Sequence, residues 1–228
     1  MLLSDADRLL DPAPMPLELG YERLDDGVLH IAVRTDMHGV TGEQFEWWFR
    51  SRPDTRQYIW WHPVDHVSST WEGGDLSTHV GSIHVVTEEF TGEPATDLRI
   101  QFRHPREFFT EAAYDAAVAE GRVSAAVLGR VGFGADAPVD GEGRILGGRL
   151  LHVGRDTLWG LALRSHFFIG QDLPALGMSP EQVREEVPDA FAPALLQHCY
   201  NEFTFLSRFL PSLFIGDNRD TRMPPLPW

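Results

Sequence analysis

The residues best equipped for chemistry are histidines and glutamates at regular spacing. His198 and Glu202 lie four apart in HCYNE, within a run with apolar residues at helical spacing. On a helix that spacing projects imidazole and carboxylate from one face. Two ligands on one rigid helix, joined by others from elsewhere, are a common way to build a metal site. The same pair also occurs as an ordinary helical surface pair. In WWHPVDH, His62 and His66 flank Pro63. Proline removes a ladder hydrogen bond, so the chain is expected to bend there at a cavity rim. His66 is a candidate ligand, oriented by Asp65 or a backbone carbonyl, and His62 is either an alternative ligand or its neighbour. In HVVTEEFTGEP, strand alternation puts His84, Val86 and Glu88 on one face and Val85, Thr87 and Glu89 on the other. One of the two adjacent acids must point inward, and Glu93 reads as a turn acid. Two histidines with two glutamates make a mixed nitrogen and oxygen site that favours zinc, with manganese or iron(II) as competitors.

Those residues need a scaffold. The pattern predicts strands over 28–35, 57–62, 80–90, 97–103, 123–133, 144–153 and 157–169. A short helix is expected from Thr41, and another over 111–121 ending at a glycine. A long helix is expected from Pro188 to Phe209, stopping at Pro211. Strands followed by a terminal helix imply an α+β fold, with the helix packed across a curved antiparallel sheet and a cavity between them. Residues 1–26 read as an extended lead-in, 27–215 as one domain, and 216–228 as an irregular proline-rich tail.

Composition narrows the function. The 228 residues carry a formal charge of −15, which argues against nucleic acid or anionic membrane as partners. Every basic side chain is arginine, so Schiff-base lysine chemistry and a P-loop are excluded. The single cysteine, Cys199, excludes an internal disulfide and a four-cysteine zinc knuckle. A lone cysteine without a recognisable leader suggests the cytoplasm. The sequence does not fix the oligomeric state, and a homodimer is no more than possible on general frequency.

Four segments together, EWWF (46–49), WWHPVDH (60–66), RSHFFIG (164–170) and HCYNEFTFLSRFLPSLF (198–214), resemble the 2,4-diacetylphloroglucinol hydrolase family, which also includes phloretin hydrolase. The resemblance runs from about Val40 to Phe214. It implies a Bet v 1-like helix-grip fold holding zinc through two histidines and two glutamates. It also implies a hydrolase acting on carbon–carbon bonds in ketonic substances, which detaches an acyl group from a polyhydroxylated aromatic ring. By position, His66 matches the first ligand and His198 and Glu202 the last two. The remaining glutamate is expected at Glu89, then Glu88, then Glu93. Tyr58 matches a tyrosine lining the substrate pocket. The chain is shorter than characterised members and lacks much of their N-terminal helical extension, which leaves the substrate open.

Hydrolysis of an aryl ketone needs water at the acyl carbon and a proton for the departing ring carbon. Tyr58, His62 and His166 are the candidate acids, with His152 a further candidate pocket residue. Trp47, Trp48, Trp60, Trp61 and Phe167 could form a flat aromatic wall, although core packing explains most of them equally well. Two rivals compete with a small aromatic ketone as substrate. One is a non-enzymatic carrier of an apolar ligand, and the other is a different metalloenzyme acting on aromatic polyketides.

Overall fold

The computed structural model describes residues 1–90 and 94–217. In chain order the elements are β1 (Gly20–Arg23), β2 (Leu29–His38), α1 (Gly42–Ser51), α2 (Thr55–Trp61), β3 (His66–Glu72), β4 (Ile83–Glu88) and β5 (Thr96–Arg103). They continue with α3 (Glu111–Ala119), β6 (Ala125–Phe133), β7 (Gly148–Asp156), β8 (Gly160–Ile169), α4 (Pro180–Glu186), α5 (Phe191–Ser207) and α6 (Leu210–Asp217). The eight strands form one antiparallel sheet in the order β1-β2-β8-β7-β6-β5-β4-β3. The chain is therefore α+β, with a sheet gripping the C-terminal helix α5.

Alternation sorts the sheet into two faces. Leu29, Ile31 and Val33 of β2 and Leu161, Leu163 and Phe167 of β8 join α1, α2 and α5 in the larger core. Val28, Leu128, Leu151 and Phe168 point the other way, onto Leu9 and Leu10 and the apolar side of α3. Because both faces are covered, β6, β7 and β8 are buried almost end to end. That explains why their sequences read as continuous apolar runs rather than as clean alternation. The N-terminus is not an extended lead-in. Leu3–Leu10 is a 3-10 helix with Ala6, Leu9 and Leu10 buried, and β1 pairs with β2.

The segment expected as a strand at 57–62 is helical instead. Asp54 accepts from the backbone N–H of Gln57 at 2.9 Å, and the Gln57 side chain accepts from the backbone of Asp54 at 3.1 Å. This reciprocal capping box satisfies helix-end donors and overrides the β propensity of QYIWW. Tyr58 and Trp61, three apart, consequently share the buried face, while Ile59 and Trp60 face solvent.

Helix α5 buries Ala192, Leu195, His198, Cys199, Glu202, Phe203 and Leu206 as one stripe. Each fully buried large apolar side chain there contributes about 1.5–3 kcal/mol, and this burial rather than helix propensity holds α5 in place. The helix ends at Ser207 rather than Phe209, and Pro211 is accommodated in the first turn of α6, where a missing N–H costs little. Among the described residues no helix is long and apolar enough to cross a membrane.

Candidate metal centre and cavity

The site begins at the end of α2. The Tyr58 carbonyl accepts from His66 Nδ1 at 2.8 Å, so Nδ1 carries the proton and Nε2 is left with a free lone pair. That Nε2 is buried without a hydrogen-bond partner, 4.0 Å from Glu88 Oε1 and 3.9 Å from Glu202 Oε2. His198 is fixed in the same sense. Its Nδ1–H donates to Asp65 Oδ2 at 2.9 Å, which turns Nε2 toward Glu88 Oε2, 3.7 Å away. Ligand atoms of His66, His198 and Glu202 all lie within 4.8 Å of one another. The phenol of Tyr58 donates to Glu88 Oε1, and its ring stacks flat on His66 at 3.6 Å.

These residues suit a divalent cation. Two imidazoles aim Nε2 at the site, each with Nδ1–H held by an oxygen acceptor, the arrangement that orients metal-bound histidines. Two carboxylates close the set. The electrostatics point the same way. Burial alone would lower the pKa of His198, yet the adjacent Glu88, Asp65 and Glu202 push it up to about 9. Burial, opposed by His198 and assisted by Glu88, pushes Glu202 up to about 8. Burial, reinforced by His198, holds His66 well below its usual value. A buried pocket with surplus carboxylate charge is stabilised by a cation, and here a proton on His198 fills part of that role.

The expected residues divide. His66, His198, Glu202 and Tyr58 converge. Glu89 does not: its side chain faces solvent, and the acid at this wall is Glu88, because β4 turns His84, Val86 and Glu88 inward together. Glu93 lies outside the described residues. His62 is close but turned away in function. Its Nδ1 accepts from the Asp65 backbone N–H at 2.9 Å, so its proton sits on Nε2, and its ring stacks on His198. Burial, with His198 adding, holds its pKa at about 4. His62, Asp65 and His198 also form a second group with ligand-type atoms within 4.8 Å, but His62 has no free lone pair to offer it.

His166 is on the wrong face. It points to the outer side of β8, where its Nδ1 lies 2.9 Å from Nε2 of His30. The inward residue of that neighbourhood is His152 on β7, whose Nδ1 lies 2.7 Å from Ser165 Oγ. Strand parity separates the two. His152 pairs directly with Ser165, so both face inward and His166 must face outward.

A cavity of about 70 Å³ adjoins the cluster, bounded by Tyr58, Trp61, His84, Glu88, His152, His198 and Glu202 and otherwise by apolar side chains. Of the expected aromatic wall, Trp61 and Phe167 line it. Trp47 packs on Phe214 and Trp48 on Phe209 in the core, and Trp60 is exposed beneath Arg56. His84, unassigned from sequence, lines the cavity with Nε2 held 2.8 Å from Ser69 Oγ. Strand alternation in the sequence already places it on the same face as Glu88.

Fold and site together define a helix-grip protein with a buried histidine–glutamate cluster beside an aromatic-lined cavity. Residues 1–215 match the family model described as the DAPG hydrolase PhiG domain, and the chain belongs to that family of hydrolases. It is 24% identical to a 2,4-diacetylphloroglucinol hydrolase from Pseudomonas protegens, over 93% of this chain and 72% of the relative. It is also 24% identical to the phloretin hydrolase of Eubacterium ramulus, over 89% and 73%. Among solved structures it is similar to Ara h 8.0201, with a TM-score of 0.47 and 12% identity over 82% of this chain and 99% of that one. Protein Ms6760 from Mycobacterium smegmatis gives a TM-score of 0.43 and 11% identity over 83% and 94%.

Proposed function

We propose that this protein is a zinc-dependent hydrolase that cleaves the carbon–carbon bond between an acyl group and a polyhydroxylated aromatic ring. The observation that carries the reading is the convergence of His66 Nε2, His198 Nε2, Glu88 and Glu202 on one cavity wall, in a member of a hydrolase family. These four residues would hold the ion. When bound, zinc supplies Lewis acidity, drawing electron density from a carbonyl or phenolate oxygen and making water a competent nucleophile near neutral pH.

The chain's own groups do the rest. Asp65 and the Tyr58 carbonyl hold the two imidazoles in the ligating tautomer. Tyr58 stays a neutral phenol, since burial and then the Glu88 charge raise its pKa well above the usual tyrosine value, and it steadies Glu88 by donating to it. The aromatic wall excludes bulk water and stacks the substrate ring. Water's oxygen bonds to the acyl carbon, the carbon–carbon bond breaks, and its electron pair stays on the ring carbon. His152 is the proton carrier in this reading. With Nδ1 engaged by Ser165, its Nε2 is the nitrogen left to pass water's proton to the ring carbon as the carbon–carbon bond breaks. The products are a carboxylic acid and the deacylated phenol.

Elemental analysis of protein purified without a histidine tag tests the metal. About one zinc per chain is expected, lost in both His198→Ala and Glu202→Ala while the fold persists. Zinc-loaded protein should release carboxylic acid and free phloroglucinol from acylphloroglucinols. Absence of zinc uptake on titration, or full occupancy in the variants, would overturn the site, and a loaded protein inert to every acylphloroglucinol would overturn the reaction.

A further inference from the structure

Of the polar side chains lining the cavity, Tyr58, Glu88, His198 and Glu202 belong to the cluster, His152 carries the proton, and Trp61 Nε1 is sealed in packing. His84 is left over. Its ring is 1% exposed and clamped: Trp71 stacks on it at 4.1 Å and 14°, and Tyr58 meets it edge-on at 5.2 Å. Its Nε2 lies 2.8 Å from Ser69 Oγ, and the same Oγ lies 2.8 Å from the Pro53 carbonyl oxygen. A carbonyl only accepts, so the single hydroxyl hydrogen of Ser69 goes to Pro53. Ser69 Oγ then accepts from His84, which puts the imidazole proton on Nε2 and leaves a lone pair on Nδ1. That Nδ1 has no hydrogen-bond partner among the described residues and keeps accessible surface, on a side chain that lines the cavity. Burial holds the pKa of His84 at about 3, so the ring stays neutral and Nδ1 remains an acceptor across the neutral range.

A fixed acceptor inside a cavity calls for a donor. A ligand that displaces water from Nδ1 without replacing its hydrogen bond leaves a buried acceptor unpaired, which weakens binding. Ether and carbonyl oxygens cannot supply that hydrogen, whereas a phenol can. His84 and Glu88 share the buried face of β4, about 13 Å apart along the strand, so a group held by His84 is remote from the metal ligands. On an acylphenol whose carbonyl lies at the metal, hydroxyls ortho to the acyl group stay beside that carbonyl, and the para hydroxyl points farthest away. Resting on the carbon–carbon hydrolase reading, we infer that His84 selects substrates with a free hydroxyl para to the acyl group, which donates to Nδ1.

The test compares 2,4,6-trihydroxyacetophenone with 2,6-dihydroxy-4-methoxyacetophenone on zinc-loaded protein. The ether keeps the electron donation into the ring and loses the hydrogen. Its kcat/KM is expected to be lower by about 10–100-fold, and equal efficiency would overturn the inference while leaving the hydrolase reading in place. In His84→Phe, with zinc content unchanged, that preference should shrink to within about threefold, and in His84→Gln, whose amide oxygen accepts, part of it should persist. 2,6-Dihydroxyacetophenone, which has neither the para hydroxyl nor the methyl group, separates hydrogen bonding from steric exclusion. Its deficit against the trihydroxy ketone should also shrink about tenfold or more in His84→Phe, the ratio of ratios cancelling intrinsic reactivity. Preferences undiminished in His84→Phe would overturn the assignment to His84. Zinc-loaded wild-type protein that cleaves none of the three ketones would overturn both readings.

Discussion

His66 and Glu88 face each other directly across the β3–β4 ladder, and the register breaks immediately afterwards, between His66 and Ser68. The irregularity leaves Val67 exposed and turns His66 and Ser69, three apart, to the same buried face. Strict alternation would have made 66, 68 and 70 the inward set. A β-bulge therefore aims the imidazole at the carboxylate of the neighbouring strand, as bulges beside functional sites commonly do.

The pairing predicts which of two adjacent acids matters. Glu88→Gln should abolish stoichiometric zinc and reduce kcat/KM at least about a hundredfold, whereas Glu89→Gln should leave both unchanged and shift stability by no more than about 0.5 kcal/mol. Elemental analysis and thermal melts on the two variants check this. Loss of zinc in the Glu89 variant instead would reverse the assignment.

Asp65 should matter without touching the ion. Its Oδ2 holds Nδ1–H of His198, so Asp65→Asn keeps the shape but weakens the acceptor that orients the ring. Zinc affinity is expected to fall about 10–100-fold with the fold intact, measured by competition with a chromogenic chelator.

His152→Phe should separate chemistry from metal binding. The cavity wall stays filled and the zinc stays bound, while kcat falls about 10²–10⁴-fold for loss of proton transfer. His166→Phe, on the opposite face of the sheet, should leave kcat within a factor of about two, because alternation keeps its ring out of the cavity. Equal losses in both variants would point to a packing effect.

Acid should destabilise the fold through its buried neutral histidines. Burial, with His30 adding, holds His166 at about 3, against about 6.5 in the unfolded chain. A folded pKa below the unfolded one means that the unfolded state binds the proton first. The stability contributed is thus complete above about pH 6.5 and is lost as pH falls toward about 3, at up to about 1.4 kcal/mol per pH unit for each such histidine. Denaturant melts of metal-free protein between about pH 7.5 and 5 should show that slope, reduced by about one histidine's share in His166→Gln. An unchanged slope would place His166 protonated in the folded state.

Much of this was written in local residue order. Helical spacing alone puts His198 and Glu202 on one face, since about 3.6 residues per turn admits no other outcome. Strand parity alone puts His84 with Glu88 and Glu89 on the other face, without saying which face is buried. The apolar runs of β6, β7 and β8 mark strands because only a sheet covered on both faces tolerates them. What sequence could not decide depended on contacts between distant segments. The exception is local: the Asp54–Gln57 capping box makes Thr55–Trp61 a helix although its aromatic composition suits a strand, and so moves Tyr58 beside His66. The bulge after His66 set the direction of its ring. The pairing of β7 with β8 decided that His152 faces the cavity and His166 the outer layer, which reverses the preference for His166 drawn from sequence. Parity within one strand is local, but which parity faces inward is settled only when the sheet closes on α5 and one side becomes the core.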